Sequence, residues 1–334
     1  MDPKTTRMTE PIQWGILGLG KIARSFAKDL ALVPDARLAG VASRDRANAE
    51  AFAAEFGAQR AYGSYEELLA DPGVSVVYIA TPHTHHLEHS LAAMRAGKHV
   101  LCEKPMGINA AEVHRLVDCA RENGVFLMEA LWSRFNPSLL EAARLVKSGS
   151  LGEPAYLKAD FAFPGLDRDP KGRLLNPELA GGSLLDIGIY PVFLAYWMLG
   201  VPQSFQAAAK FHTTGVEKQI GLIFEYPDAI AILYSGLSSH SEMRAEISCT
   251  RGNIYIQPRW HETDGFEVEV EGERRLVEHP TLGKGYTHEI REVHDCLRAG
   301  RPESDRWSLR DSLALHELLD AIRKRCGIRF PSEG

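Results

Sequence analysis

Over the first 130 residues, short apolar runs alternate with longer stretches in which apolar residues recur at helical spacing. The apolar runs predict buried parallel strands, and the amphipathic stretches predict helices. The predicted strands are 12–17, 37–42, 74–80, a run ending at 103, and 125–130, and the predicted helices are 24–32, 47–56, a short one from 64, one ending at 95, and 110–122. This alternation predicts a Rossmann-type doubly wound parallel sheet of the α/β class.

The pattern changes after about residue 132, where strands with apolar–polar alternation and short turns become dominant. Predicted strands are 155–163, 205–212, 220–226, 230–235 and 245–250, and predicted helices are 137–147, 183–199, 288–298 and 309–325. This pattern predicts a second α/β domain on a large, mostly antiparallel open sheet, with one face covered by helix 183–199. We expect a tail over 1–10, a first domain over 11–131 and a second over 132–334, whose last helix can pack back on the first.

Length and charge limit the function classes. The 334 residues exceed one ordinary core, and the net charge of −6 is spread without long runs of one sign. We therefore expect no nucleic-acid or membrane partner, no membrane-spanning segment and, from the start of the chain, no signal peptide. The odd number of five cysteines, without a close pair, predicts no disulfide framework and favours the reducing cytoplasm.

A glycine-rich turn follows the first predicted strand. Gly18, Gly20 and Ala23 form the pattern G-x-G-x-x-A between a strand and a helix. In a dinucleotide fingerprint the first glycine permits the turn and the second lets the backbone approach the pyrophosphate at the helix N-terminus. We predict that this loop, with Leu19, Lys21 and Ile22, binds a dinucleotide. Glycines with a purely steric role are the alternative.

The end of the second predicted strand bears on cofactor choice. Ser43 and Arg44 stand there without an acidic residue at the tip, which favours the 2′-phosphate of NADP over the ribose of NAD. A helix cap and a solvated charge are the alternative. Asp45 could also turn toward the ribose, so NAD remains possible.

Four histidines, at 83, 85, 86 and 89, follow Thr81 and Pro82 at the end of the third predicted strand. Cysteine or carboxylate partners at ligand spacing are absent nearby, so we expect no metal site. A polar cleft wall that touches the cofactor is the better interpretation. His86 is the favoured member.

Glu103, Lys104 and Pro105 end another buried run. Ligands of open α/β sheets bind beyond the carboxyl ends of the strands, which would place Lys104 in the cleft. A desolvated ammonium there can lower its pKa and take part in proton transfer. A surface lysine in a turn is the alternative.

Asp186 and Tyr190 lie four residues apart on a predicted apolar helix, hence on one face. A core tyrosine with a bonded hydroxyl, and a capping aspartate, are the structural alternative to a role in the cleft.

Taken together, these segments resemble the Gfo/Idh/MocA oxidoreductase family over nearly the whole chain, and most of all its branch of dimeric dihydrodiol (D-xylose) dehydrogenases. The resemblance rests on the dinucleotide fingerprint, Thr81–Pro82 with His86, the Glu-Lys-Pro motif, and residues 61–68, 101–107, 126–134 and 184–190. Many family members carry histidine at the position of Tyr190. The tyrosine argues against an inositol-dehydrogenase mechanism.

The resemblance implies hydride transfer between NADP and a secondary alcohol or ketone of a sugar, polyol or cyclic diol. Tyr190 would exchange the proton, Lys104 would lower the pKa of Tyr190, and Asp186 would orient Lys104 or the substrate. It also implies a homodimer or homotetramer through the open sheet. The implied cofactor-binding residues are Gly18, Leu19, Gly20, Lys21, Ile22, Ser43, Arg44, Thr81, Pro82, His83, His86, Glu103 and Lys104, and the implied substrate-binding residues are Trp132, Arg134, Phe161 and Trp260. The alternatives are a keto-sugar reductase and a non-catalytic cofactor-binding regulator.

Overall fold

The structure is a computed structural model that describes residues 10–333, so the predicted tail lies almost wholly outside the described residues. Its first sheet has six parallel strands in the order β3–β2–β1–β4–β5–β6. The strands are β1 Ile12–Leu17, β2 Ala36–Ala42, β3 Arg60–Tyr62, β4 Val76–Ile79, β5 His99–Glu103 and β6 Leu127–Ala130. This is the strand order of dinucleotide-binding folds, and the predicted doubly wound sheet is confirmed.

Helices connect these strands. They are α1 Lys21–Leu30, α2 Arg46–Phe56, α3 Tyr65–Leu69, α4 His86–Arg95 and α5 Ala110–Asn123. Two details differ from the sequence prediction. Strand β3 was missed because three residues are too few to show a period, and α1 begins at Lys21 instead of residue 24. The earlier start places the first turn of α1 directly after Gly20.

The second sheet has eight strands in the order β14–β13–β12–β11–β7–β10–β9–β8. The strands are β7 Pro154–Ala162, β8 Ser204–Phe211, β9 Glu217–Glu225, β10 Ile230–Gly236, β11 Ala245–Cys249, β12 Gly252–Ile256, β13 Gly265–Val270 and β14 Glu273–Glu278. All neighbours are antiparallel except β7 and β10. The predicted open sheet is confirmed, although β12, β13 and β14 were missed.

Helices α6 (Pro137–Lys147) and α7 (Ile189–Leu199) accompany this sheet, and one π-helical turn, Leu184–Gly188, precedes α7. Contrary to the sequence prediction, the stretch Pro177–Leu199 is long and apolar enough for a membrane span, with a mean hydropathy of 1.4. However, 89% of its most apolar window is buried inside the fold. Burial among protein elements on all sides accounts for its composition.

The last two helices, α8 (Tyr286–Arg298) and α9 (Leu309–Cys326), return to the first sheet's helices. The buried carboxylate of Asp29, on α1, accepts hydrogen bonds at 2.9 Å from the backbone N–H groups of Lys284, Gly285 and Tyr286 at the start of α8. Helix α9 reaches the segment that follows β5, where Asp320 accepts from the N–H of Ala110 at 2.8 Å. These contacts pack the C-terminal helices against the first sheet's helices. The junction at the carboxyl end of β5, where the Lys104 ammonium donates to the carbonyl of Asp186, is the cleft.

Candidate active site

The glycine-rich loop has the geometry that a dinucleotide pyrophosphate requires. Gly18 has a φ of +86°, and a Cβ there would lie 2.7 Å from the carbonyl oxygen of Ala80. A Cβ on Gly20 would meet no atom within 4 Å in the part of the chain that the structure describes. Gly20 caps α1 without a side-chain hydrogen bond, and the first turn of α1 has no acidic residue. The free N–H groups of α1 therefore face an open space suited to an anion.

At the tip of β2, the structure separates Asp45 from Arg44. Asp45 is the N-cap of α2, and its carboxylate accepts from the N–H of Ala47 at 3.0 Å. The Ser43 hydroxyl accepts from the N–H of Asp45 at 3.2 Å. Within residues 10–333, the exposed Arg44 has no carboxylate within ion-pair distance. Arg44, and not Asp45, is available for a ribose phosphate.

The loops after β4 and β5 meet at His86. Its ring is fully buried, with Nδ1 2.7 Å from the carbonyl oxygen of Pro105 and Nε2 2.8 Å from that of Thr81. Burial lowers the pKa of His86 to about 4, so the ring is neutral and donates to one carbonyl at a time. His86 thus links the two loops by hydrogen bonds inside the fold. It does not form the exposed cleft wall that we expected from the sequence.

The remaining histidine-loop residues lie nearby. The Thr81 hydroxyl is 3.0 Å from Nδ1 of His89, and Pro82 precedes a 3₁₀ turn that begins at His83. Burial lowers the pKa of His83 well below its usual value. Among residues 10–333, no group of three or more His, Cys, Asp or Glu side chains is placed to hold a metal ion.

Lys104 follows directly after β5 and extends into the cleft. Its Nζ donates to the backbone carbonyl of Asp186 and lies 3.9 Å from the Asp186 carboxylate. Nζ also lies 4.8 Å from the centre of the Tyr190 ring. Burial lowers the pKa of Lys104, while the charges of Asp186 and Glu103 oppose that shift. The sequence prediction of a cleft lysine next to Asp186 and Tyr190 agrees with this placement.

Two carboxylates next to Lys104 differ in protonation. Burial alone would raise the pKa of Asp186, but the charges of Arg173 and Lys104 lower it to about 2; Arg173 Nη1 lies 2.5 Å from Asp186 Oδ1. Burial raises the pKa of Glu103 to about 7, despite the hydrogen bonds that it accepts from the Tyr78 hydroxyl and from the N–H of Lys104. Asp186 therefore carries the permanent negative charge of the site.

Among residues 10–333, the Tyr190 hydroxyl accepts one hydrogen bond and donates none. Its oxygen accepts a hydrogen bond from Nε1 of Trp132 at 2.7 Å. Burial raises the pKa of Tyr190 well above 10, and the charge of Glu103 adds to this shift. We expected Lys104 to lower the pKa of Tyr190, but the ammonium faces the ring and not the hydroxyl, so burial dominates. At neutral pH the phenol keeps its proton and can donate it.

Aromatic rings surround the Tyr190 hydroxyl. The Phe161 and His261 rings stack with centres 4.3 Å apart, and Tyr190 lies 5.5 Å from Phe161 and 5.4 Å from His261. Trp132 meets His261 edge-on at 6.0 Å. Trp132 and Phe161 were predicted at the substrate pocket, and the structure brings both to Tyr190. His261 was missed because its segment has no period or motif.

Two predicted substrate-binding residues lie elsewhere. Trp260 has no exposed surface, and its indole N–H donates to the carbonyl of Asp160 at 2.9 Å, so it supports the sheet while its neighbour His261 faces the rings. The Arg134 guanidinium lies 4.3 Å from the centre of the Trp197 ring. Trp132 and Arg134 share one 3₁₀ turn, in which residues two apart point in different directions.

Two residues of the site gave no sequence signal. Arg173, which pairs with Asp186, comes from the irregular segment between β7 and α7. Glu217, on β9, accepts from the N–H of Leu184 at 2.8 Å and thereby caps the π-helical turn that contains Asp186. Only long-range packing brings either residue to the site.

Comparison with known proteins agrees with this geometry. Residues 12–131 match the GFO/IDH/MocA oxidoreductase family with an NAD-binding Rossmann fold, and residues 139–255 match a GFO/IDH/MocA C-terminal domain. The chain is 40% identical to the trans-1,2-dihydrobenzene-1,2-diol dehydrogenase of Mus musculus, over 96% of this chain and 99% of that protein. The corresponding Bos taurus enzyme is 35% identical over the same shares.

Solved structures give the same result. A 3-ketoreductase from Actinomadura kijaniata, solved with NADP, superposes with a TM-score of 0.85 at 27% identity, covering 95% of this chain and 98% of that one. An aldose–aldose oxidoreductase from Caulobacter crescentus, with glycerol, superposes with a TM-score of 0.87 at 29% identity and the same coverage. The chain belongs to the Gfo/Idh/MocA family of oxidoreductases.

Proposed function

We propose that this protein is an NADP-dependent dehydrogenase that acts on a secondary alcohol of a cyclic diol or a sugar. The observation that carries this proposal is the buried pair of Lys104 and Tyr190, with Nζ 4.8 Å from the ring centre, at the carboxyl end of β5. A cofactor-binding regulator would have no need for a desolvated lysine beside a tyrosine with a free hydroxyl proton. NADP, when bound, supplies or accepts the hydride.

The chain's own residues hold the cofactor and move the proton. The free N–H groups of α1 receive the pyrophosphate, and Arg44 receives the 2′-phosphate. In the reducing direction, Tyr190 donates its hydroxyl proton to the substrate oxygen while Trp132 holds the phenol oxygen in place. The Lys104 ammonium donates a hydrogen bond to the same substrate oxygen, and Asp186 positions Lys104. In the oxidising direction the proton moves back to Tyr190.

The mixed chemistry of the site favours a cyclic diol. Trp132, Phe161 and His261 bring flat rings close to Tyr190, and Lys104, Asp186 and Arg173 bring polar groups. A ring with two vicinal hydroxyls matches both kinds of surface. The rodent and bovine relatives named for a trans-dihydrodiol support this choice. The 3-ketoreductase and aldose–aldose oxidoreductase structures support D-xylose or a keto-sugar as the second candidate.

A substrate panel tests the proposal. Reduced-nicotinamide absorbance is followed with trans-1,2-dihydrobenzene-1,2-diol, D-xylose, polyols and keto-sugars, in both directions and with both cofactors. We expect the highest kcat/KM with the cyclic diol and NADP. If NADP binds tightly but no compound exchanges a hydride, the regulator alternative replaces the enzyme.

We also propose self-association through the open face of the second sheet. Ile223, Ile230 and Ile232 lie on the outer face of β9 and β10 with 39%, 49% and 45% of their surfaces exposed. A contiguous apolar face of this kind favours a second copy of the chain. The cytoplasm is the proposed location, since all five cysteines are free thiols.

A further inference from the structure

A surface cavity lies next to Arg134. It has a volume of 550 Å³, opens to solvent, and is bordered by the C-terminal ends of α6 and α7 and by the segment 305–311. Its lining includes three cationic side chains, Arg134, Lys147 and Arg306, and the indole of Trp197. Nothing in the proposed reaction uses this cavity.

Of the three cationic side chains, Arg134 has the most unusual surroundings. Within the described residues, its guanidinium donates no hydrogen bond, and Nε and Nη1 are sealed from solvent without any partner. The group lies 4.3 Å from the centre of the Trp197 ring, so one face is covered by the indole. An unpaired buried cation is costly, and a guanidinium normally satisfies several of its five donors. Arg134 therefore has hydrogen-bond donors that no described part of the chain satisfies.

The neighbouring charges increase this imbalance. Lys147 Nζ lies 6.0 Å from the same indole and has no carboxylate within ion-pair distance among residues 10–333. Arg306 is partly neutralised, since its Nε lies 3.3 Å from Glu292. Three cationic side chains thus share the lining with two carboxylates, Asp305 and Asp311, while Glu292, outside the lining, pairs with Arg306.

The two carboxylates of the lining are occupied elsewhere. Asp311 accepts from the Tyr196 hydroxyl at 2.9 Å through one oxygen and from Ser308 through the other. Asp305 pairs with Arg301 at 2.5 Å. Among the described residues, neither lies within ion-pair distance of Arg134 or Lys147, although the charge of Asp311 still raises the pKa of both cations against the lowering caused by burial.

We propose that this cavity binds a phosphate group, held by Arg134, Lys147 and Arg306 against the Trp197 wall. A phosphate brings up to two negative charges and several acceptor oxygens, which match guanidinium and ammonium donors. The site is separate from the cofactor loop at Gly18–Gly20 and from Arg44. It lies at the C-terminal end of α7, and Tyr190 lies at the start of that helix.

The test is a titration of inorganic phosphate into the protein at saturating NADP, so that the cofactor's own phosphate positions are occupied. Chloride buffers hold the ionic strength constant, and isothermal calorimetry measures Kd and stoichiometry. We expect one saturable site per chain. Lys147→Gln should raise Kd at least fivefold, and Arg134→Gln at least tenfold. Lys28→Gln, which removes a charge from an exposed position on α1, should leave Kd unchanged.

Glycerol 3-phosphate, titrated in parallel, distinguishes free phosphate from a phosphate ester as the preferred form of the ligand. If Arg134→Gln fails to fold, the phosphate Kd of the Lys147→Gln variant alone tests the proposal. Absence of saturable binding at saturating NADP overturns the proposal. So does equal binding in the wild type and the Lys147 variant. Phosphate binding that disappears once NADP is added belongs to the cofactor site and also overturns it.

Discussion

At the scale of single residues, burial in the cleft favours the neutral forms of both Lys104 and Tyr190. It lowers the pKa of the lysine and raises that of the tyrosine, because desolvation disfavours the charged form of each. The negative charge of the site is left to Asp186, whose pKa is lowered to about 2. This arrangement suits a tyrosine that gives a proton to a substrate oxygen at neutral pH.

The first prediction concerns the catalytic pair. Tyr190→Phe should reduce kcat by roughly 10²–10⁴, the usual range for a general acid or base. NADP affinity should stay unchanged. Lys104→Met should cost at least as much, and the double variant should be little worse than the worse single one, because the two groups act together.

Steady-state kinetics and cofactor titration check this prediction. If Tyr190→Phe keeps most of its turnover while Lys104→Met is inactive, Lys104 itself moves the proton and Tyr190 only forms the pocket wall.

The second prediction concerns pH. The rate of alcohol oxidation should rise with pH, because the base form of Tyr190 becomes more populated as pH approaches its raised pKa. The Trp132 indole lowers the pKa of Tyr190 by donating to its oxygen, so Trp132→Phe should raise that pKa further. The pH profile of kcat for oxidation should then move to higher pH. An unchanged profile would show that Tyr190 is not the titrating group.

The third prediction separates the two residues at the tip of β2. Arg44→Gln should weaken NADP binding by about 10- to 100-fold, the value of one or more charge-assisted hydrogen bonds, and leave NAD binding unchanged. Asp45→Ala should instead lower the free energy of unfolding by about 1 kcal/mol, since it removes the α2 cap. Fluorescence titration and urea unfolding measure the two effects. Weaker NAD binding in the Asp45 variant would show that Asp45 faces the ribose and would contradict both assignments.

At the scale of elements, the site depends on how α8 is joined to α1. The Asp29 carboxylate receives three successive N–H groups from the start of α8, at a helix end where negative charge is favourable. Tyr286, the first residue of α8, then stacks on Trp132 with ring centres 5.0 Å apart. The position of α8 therefore affects the hydrogen bond between Trp132 and Tyr190 through the stacking of Tyr286 on Trp132.

The fourth prediction follows from this junction. Asp29→Asn should lower the free energy of unfolding by about 1–3 kcal/mol, because an amide nitrogen replaces one acceptor and the charge is lost. Urea unfolding gives the value, with Lys28→Gln as the neighbouring control. A loss no larger than that of the control would mean that the junction contributes nothing to stability.

At the scale of the whole molecule, one face of the eight-stranded sheet exposes Ile223, Ile230 and Ile232. These isoleucines lie on the adjacent strands β9 and β10, toward the β8 edge, where Ile232 pairs with Lys158 and Ile230 with Glu225. The proposed association of two copies would cover this face.

The fifth prediction tests that association. Ile232→Lys should convert a dimer or tetramer to a smaller species, because a charge would have to be buried at the interface. Light scattering coupled to size exclusion measures the mass. Leu32→Lys is the matched control, since Leu32 is 44% exposed and Ile232 is 45% exposed. An equal mass for wild type and Ile232→Lys would remove this face from the interface.

The local sequence determined the turns, strands and helix caps, which depend mainly on neighbouring residues. Gly18 requires its left-handed backbone, apolar runs specify five of the six strands of the first sheet, and Asn109 caps α5 by accepting from the N–H of Glu112. Since parallel strands end at one edge of a sheet, Lys104 was also placed in the cleft from order alone.

Tertiary structure decided the features that depend on long-range contacts. Arg173 and His261 come from segments without a period, so only packing brings them to Asp186 and Phe161. The pKa of Tyr190 depends on its burial and on which atoms Lys104 approaches, and neither can be deduced from residue types. Trp260 and Arg134 point away from the cleft for the same reason: side-chain direction is set by the local turn and its packing partners, and sequence spacing alone does not contain it.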